Sequence, residues 1–170
     1  PQVNTDSCID CHLCEKVCPI INVKPEEKKP QKGYLLQNKD AKVLAESTSG
    51  GAYTAIAKYV LKQGGVVFGA ALNEHNEARH IYIESEGELW KFRNSKYVQS
   101  LIGDTYQQAK EFLKQGRLVC FSGTPCQMEG LVSYLRKPYD NLIVVDVVCR
   151  AVPSPKVLRK YIEYQSLTYG

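Results

Sequence analysis

Cys8, Cys11, Cys14 and Cys18 stand at the spacing Cys-x2-Cys-x2-Cys-x3-Cys and are followed by Pro19. Spacings this short wrap one loop around a cubane iron–sulfur cluster, with each thiolate taking one iron. A zinc knuckle is the competing use of such thiols, but zinc sites usually draw on two separated cysteine pairs. The chemistry expected of this segment is therefore one-electron transfer through a 4Fe–4S cluster. Cys18 carries two readings: it closes this cluster, or it serves a second one, as in two-cluster ferredoxins. His12 reads as an exposed spacer between ligands, because the thiol set is already full.

Three further cysteines lie far along the chain. Cys126 falls at the second residue of an expected helix, where backbone N–H groups and the helix dipole favour a thiolate. Cys149 ends the strand expected after that helix. If the two strands run parallel, both thiols reach the same carboxyl edge, where open α/β sheets bind ligands. Two readings stand: the pair holds half of a second cluster, or both are structural. Cys120 lies inside a strand and reads as core.

Two loops complete the candidates. Ser47-Thr48-Ser49-Gly50-Gly51 precedes a helix, and small residues there let backbone amides approach phosphate oxygens. An ordinary N-cap at Ser49 is the simpler account of the same residues. Ser95-Lys96-Tyr97 offers a cation and an aromatic face. No residue stands out as a general acid or base, and His75 and His80, in a polar stretch, are expected to be solvated.

The elements that must position these groups follow from patterning. Residues 1–23 form a small cysteine-rich, ferredoxin-like segment. Residues 24–41, rich in Pro, Lys and Glu, read as a linker. From 42 to 170 helix and strand signals alternate, which predicts an α/β domain with a partly parallel sheet flanked by helices. Gly50–Gln63 is a helix with Tyr53, Ile56, Ala57, Val60 and Leu61 on its apolar face, stopped by Gly64 and Gly65. Val66–Leu72 is a strand buried on both faces. Ile81–Glu84 and Glu88–Phe92 read as a hairpin across Ser85–Gly87. Asp104 and Gln107 make a capping box for a helix running to about Gln115. Leu118–Phe121 is a strand. Thr124, Pro125 and Gln127 then start a helix through N-cap, first-turn proline and capping box, burying Met128, Leu131, Val132 and Leu135. Leu142–Val148 is a strand. Ser154 and Pro155 begin a last helix with Val157, Leu158, Tyr161 and Ile162 inward. Strand–helix–strand order implies a right-handed parallel crossover.

Composition narrows the function. A chain of 170 residues fits one domain, or a small module attached to one. The net charge of +4 is spread out, and the basic stretch Lys24–Lys39 is interleaved with Pro and Glu. No nucleic-acid binding is expected, since no basic stripe carries interleaved aromatics. No run of about 18 apolar residues exists to span a membrane. The first residues lack a secretory pattern, and the odd count of 7 cysteines is not a disulfide framework. A cytoplasmic location with metal-bound thiols is the expectation. Pro1, in place of an initiator methionine, reads as the start of a fragment.

Taken in order, four stretches resemble the coenzyme F420 hydrogenase/dehydrogenase beta-subunit family. They are STSGGAYTAIAKYVL (47–61), SKYVQS (95–100), FSGTPCQMEGL (121–131) and VVCRAVPSP (147–155), with Gly-Thr-Pro-Cys-Gln the most specific. Many members carry a ferredoxin-like segment in front. The resemblance implies an oxidoreductase moving electrons between one or two 4Fe–4S clusters, bound FAD and a hydride-accepting substrate such as a deazaflavin. It implies that Ser49, Gly50, Gly51, Lys96, Tyr97, Gly123 and Thr124 lie at the flavin. It also implies that Cys126 and Cys149 are cluster ligands, completed by a later Cys-x-x-Cys pair that this chain lacks. A redox partner protein or subunit follows from the same likeness. A non-enzymatic electron carrier and a zinc-holding interaction module are the alternatives.

Overall fold

The computed structural model describes residues 3–18, 20–22 and 30–169. Pro19 and Val23 of the expected cysteine-rich segment and residues 24–29 of the expected linker lie outside them. The strands Val66–Leu72 (β1), Ala78–Ile83 (β2), Val119–Gly123 (β3) and Leu142–Asp146 (β4) form one sheet in the order β2-β1-β3-β4. β1, β3 and β4 are mutually parallel, and β2 runs antiparallel on β1. The helices are Leu13–Lys16 (α1), Ala41–Ala45 (α2), Ala52–Lys62 (α3), Thr105–Lys114 (α4), Pro125–Leu135 (α5) and Pro155–Tyr169 (α6). A 3-10 helix spans Glu86–Phe92. The expected fold class holds: a partly parallel sheet with helices on both faces.

Period-2 alternation sorts the central strands between two cores. Val67, Ala71 and Cys120 face α3 and the 3-10 helix, meeting Ala57, Val60, Leu61, Leu89 and Phe92. Val66, Phe68, Val119 and Phe121 face α4 and α5, meeting Ala109, Leu113, Met128 and Leu131. Phe68 and Phe121 stack with centroids 4.9 Å apart. Each such side chain, fully buried, stabilises the fold by roughly 1.5–3 kcal/mol, so the β1–β3 pair is the centre of stability. α3 ends in a Schellman pair: Gly64 takes φ 69, and the Gly65 N–H returns to the Val60 carbonyl at 3.0 Å. Arg117 reinforces this end, donating to the Gly64 carbonyl from Nε at 3.0 Å and Nη2 at 2.7 Å.

Several expectations are corrected. Glu88–Phe92 is not a strand, because the Ser85 hydroxyl accepts from the Gly87 N–H and starts the 3-10 helix. The hairpin is β1–β2 instead, closed by Asn73, whose side chain accepts from the His75 and Glu77 N–H groups. Ser49 does not cap α3; Gly51 holds the N-cap position with no side-chain cap. Gln107 donates forward to Glu111 at 3.3 Å rather than back to Asp104, so α4 has no capping box. β4 stops at Asp146, leaving Val147 and Val148 exposed. On α5, Val132 is exposed while Met128, Leu131 and Leu135 are buried. No residue of α6 is buried, and Val157, Tyr161 and Ile162 face solvent. His80 is also buried, at 5% exposure, although its polar neighbours predicted solvation.

Candidate functional site

The N-terminal thiols sit on a turn built from its own backbone bonds. Asp10 and His12, flanking Cys11, take φ 51 and φ 55, the left-handed region that Asp and His enter more readily than most side chains. α1 follows at once, and Asn22 closes the segment by donating to the Glu15 carbonyl at 2.6 Å and the Cys18 carbonyl at 3.0 Å. His12 is exposed and engaged by Glu15, 3.0 Å away, as fits a spacer. Cys8, Cys11 and Cys14 are exposed and Cys18 is partly buried, all as free thiols. Among the described residues no three His, Cys, Asp or Glu side chains stand close enough to share one ion. A cubane spreads its four thiolates over different irons, so its ligands need surround a cluster rather than one ion. The donor set fits that group.

The second candidate lies at the carboxyl edge of the parallel strands. Register pairs Gly123 with Asp146, and the Val147 N–H donates to the Gly123 carbonyl at 3.0 Å. Cys126 and Cys149 therefore leave the sheet on the same edge, the former exposed and the latter partly buried. The Gln127 amide oxygen accepts from the Thr124 N–H at 3.0 Å, as the capping-box spacing predicts. The Thr124 hydroxyl lies 3.2 Å from Cys126 Sγ. Cys120 is fully buried, and burial pushes its thiol up to about 12, so it belongs to the core.

The two candidate loops meet. The Thr48 hydroxyl donates to Asn94 Oδ1 at 3.0 Å, and Glu46 pairs with Arg93. The helix start at Ser49, Gly50 and Gly51 thus abuts the Ser95-Lys96-Tyr97 loop. Gly50 packs directly under the Leu36 carbonyl, and its own carbonyl accepts from the Asn38 N–H at 2.7 Å. The chain itself accounts for the missing Cβ there. The Lys96 ammonium is turned onto the Lys91 and Arg93 carbonyls at 3.0 and 2.7 Å, and burial lowers its pKa. Tyr97 is exposed.

Beside these loops opens a cavity of about 760 Å³, within the usual range for small-molecule sites. Trp90, Arg93, Lys96 and Tyr97 line it, together with Leu158 and Ile162 of α6. Arg93 Nε is buried and has no hydrogen-bond partner among the described residues. The aromatic faces of Trp90 and Tyr97 with the apolar side chains of α6 suit a flat aromatic ligand, while Lys96 and Arg93 are already engaged by backbone carbonyls and by Glu46. Trp90 and Arg93 were not foreseen from sequence, where the only trace was a tryptophan and an arginine just before Ser-Lys-Tyr. At the sheet edge Tyr53, raised in pKa by burial, bridges α3 to β3 by accepting from the Ser122 hydroxyl at 3.1 Å.

Family models match three stretches of the chain. A 4Fe-4S binding domain matches residues 1–20. The N-terminal part of the coenzyme F420 hydrogenase/dehydrogenase beta subunit matches 34–105, and its C-terminal part matches 116–169. No curated protein matches the chain. Among solved structures, a chain of the F420-reducing NiFe hydrogenase complex from Methanosarcina barkeri aligns with a TM-score of 0.62 at 20% identity. The alignment covers 79% of this chain and 51% of that one, a likeness of fold. The chain thus spans about half the length of that neighbour.

Proposed function

The chain belongs to the coenzyme F420 hydrogenase/dehydrogenase beta-subunit family, and from that premise we propose that it is the electron-transfer part of an iron–sulfur flavoprotein oxidoreductase. One observation carries this reading: Cys8, Cys11, Cys14 and Cys18 occupy cubane spacing inside the stretch matched by a 4Fe-4S binding domain. Their thiolates would hold the outer cluster. Cys126 and Cys149, leaving one sheet edge, would supply two ligands to an inner cluster.

The cavity beside Arg93 and Lys96 would hold FAD, with Trp90 and Tyr97 against its rings. Of the residues expected at the flavin, Lys96 and Tyr97 line this cavity, whereas Ser49, Gly50, Gly51, Gly123 and Thr124 do not. A bound flavin supplies the exchange between one-electron and two-electron chemistry that hydride transfer needs. The protein's own part is geometric. Lys96 holds the loop in shape through two carbonyls, and the Thr48–Asn94 bond keeps the loop against the start of α3. A redox partner protein would deliver or receive the electrons.

Among the described residues no helix is long and apolar enough to cross a membrane. Anaerobic purification followed by a visible spectrum and metal analysis tests the reading. A brown protein that also releases flavin on denaturation supports it. A brown protein without flavin leaves an electron carrier, and a colourless protein with stoichiometric zinc overturns both.

A further inference from the structure

His80 is the one buried histidine outside the roles given so far, and its surroundings define its state. On one side its Nε2 lies 2.9 Å from the Ser122 carbonyl oxygen. A carbonyl only accepts, so Nε2 carries the proton. On the other side Nδ1 lies 3.0 Å from the Ser100 hydroxyl. That hydroxyl already accepts from the Gln127 amide nitrogen at 3.0 Å. The Gln127 orientation is fixed in turn, because its oxygen accepts from the Thr124 N–H at 3.0 Å. In a neutral ring with its proton on Nε2, Nδ1 only accepts, so the single Ser100 proton points at it.

The result is a closed circuit of side chains from β2, the segment after Tyr97, and α5. It starts on the Thr124 N–H and ends on the Ser122 carbonyl, the two backbone groups on either side of Gly123. A Cβ on Gly123 would lie 2.7 Å from Gln127 Oε1 and 3.1 Å from His80 Nε2, so the circuit closes only around a glycine. Phe121 stacks on the imidazole with centroids 5.5 Å apart, and the Tyr106 hydroxyl donates to the Gln127 carbonyl at 2.6 Å.

We propose that His80, held as the neutral Nε2–H tautomer, is a positioning residue that clasps the β3–α5 turn carrying Thr124 and Cys126. That this turn serves a cofactor rests on the function proposed above; the clasp itself does not. Its purpose is to fix a solvent-facing turn from inside, through the buried His80 and Ser100 and the partly buried Gln127.

Two measurements on the whole chain at pH 7 decide it. Imidazole nitrogen NMR is expected to show one neutral tautomer at His80 with the proton on Nε2. A proton on Nδ1, an imidazolium, or an averaged pair of tautomers overturns the proposal. Residue-resolved amide exchange is then followed at Thr124 relative to β1 amides. Ser100→Ala, which cuts the circuit with little loss of volume, is expected to speed Thr124 exchange about fivefold to tenfold, the range expected for one lost hydrogen bond. His80→Leu is expected to do the same. His80→Gln, which keeps one donor and one acceptor, is expected to return exchange to within about twofold of wild type. Unchanged exchange in Ser100→Ala, or no rescue by His80→Gln in a folded protein, overturns the clasp. Should His80→Leu not fold, Ser100→Ala carries the test. Neither readout uses iron or flavin, so a wild-type protein that binds no cofactor fails the proposed function while these measurements still decide the clasp.

Discussion

Alanine at Gly123 should destabilise the fold far more than alanine at an open glycine. The new Cβ would lie 2.7 Å from Gln127 Oε1, 2.8 Å from Met128 Cε and 3.1 Å from His80 Nε2. Met128 is 5% exposed, so its methyl has little room to withdraw, although its chain is flexible. A methyl forced into packed space costs about 1–3 kcal/mol. Moving Gln127 aside also breaks its bond to the Thr124 N–H, adding about 1 kcal/mol. The expected loss is therefore roughly 2–4 kcal/mol. Gly103→Ala is the comparison: that residue takes φ 53 with nothing within 4 Å of a Cβ. There only the left-handed backbone is penalised, by about 1 kcal/mol. Urea unfolding at constant pH, with midpoints compared at unchanged slope, measures both. A Gly123→Ala loss no larger than that of Gly103→Ala would refute the close packing around the β3–α5 turn.

Other consequences follow from the same geometry. Arg117→Ala removes the donors on the Gly64 carbonyl and the pair with Glu84, and should cost about 2 kcal/mol by the same unfolding assay, nearly all from the carbonyl bonds because the ion pair is partly exposed. Cys120, buried with its thiol pushed up to about 12, should resist alkylation in the folded protein at pH 8 and react once the chain is unfolded, as peptide mass spectrometry would show. Burial lowers the His80 pKa from its ordinary 6.5, with the bond to Ser122 opposing in part. The unfolded chain therefore binds the extra proton first: stability is full above about pH 6.5 and falls as pH drops through that value toward the lower folded pKa. Thermal melts between pH 7.5 and about 5.5 should show this fall in wild type and a flatter profile in His80→Gln.

Much of the fold was legible because local and global signals agreed. Val66–Leu72 is a continuous apolar run, and it is a strand with those bounds. Thr124, Pro125 and Gln127 mark a helix start that needs no tertiary context, and α5 begins there. The misses have the opposite character. Arg79 and His80 dilute the apolar pattern of β2, and only the buried bonds of His80 to Ser100 and Ser122 show why a polar residue sits inside. Ser85 and Gly87 carry turn chemistry that serves a hairpin and a 3-10 helix equally well. The amphipathic pattern of α6 predicts a buried face, yet pattern alone does not supply an element to pack against.

At the site, the cysteine spacing was readable because four thiols within one short stretch are a local feature of the sequence. Cys126 and Cys149 could be placed on one edge because parallel strands fix the ends of their connections. The cavity was not readable. It depends on Glu46 and Thr48 meeting Arg93 and Asn94 across residues that share no local motif. The orphaned Arg93 Nε is visible only once that meeting is known.

The central claim is that Cys8, Cys11, Cys14 and Cys18 hold a cubane cluster, and electron paramagnetic resonance tests it most directly. Protein purified without oxygen and reduced with dithionite should contain at least about four irons per chain and show the signal of a reduced 4Fe–4S cluster. Changing Cys11 to Ser should remove the signal of that cluster while the α/β domain stays folded. A folded wild-type protein that is silent in the reduced state and carries zinc in place of iron would contradict the account.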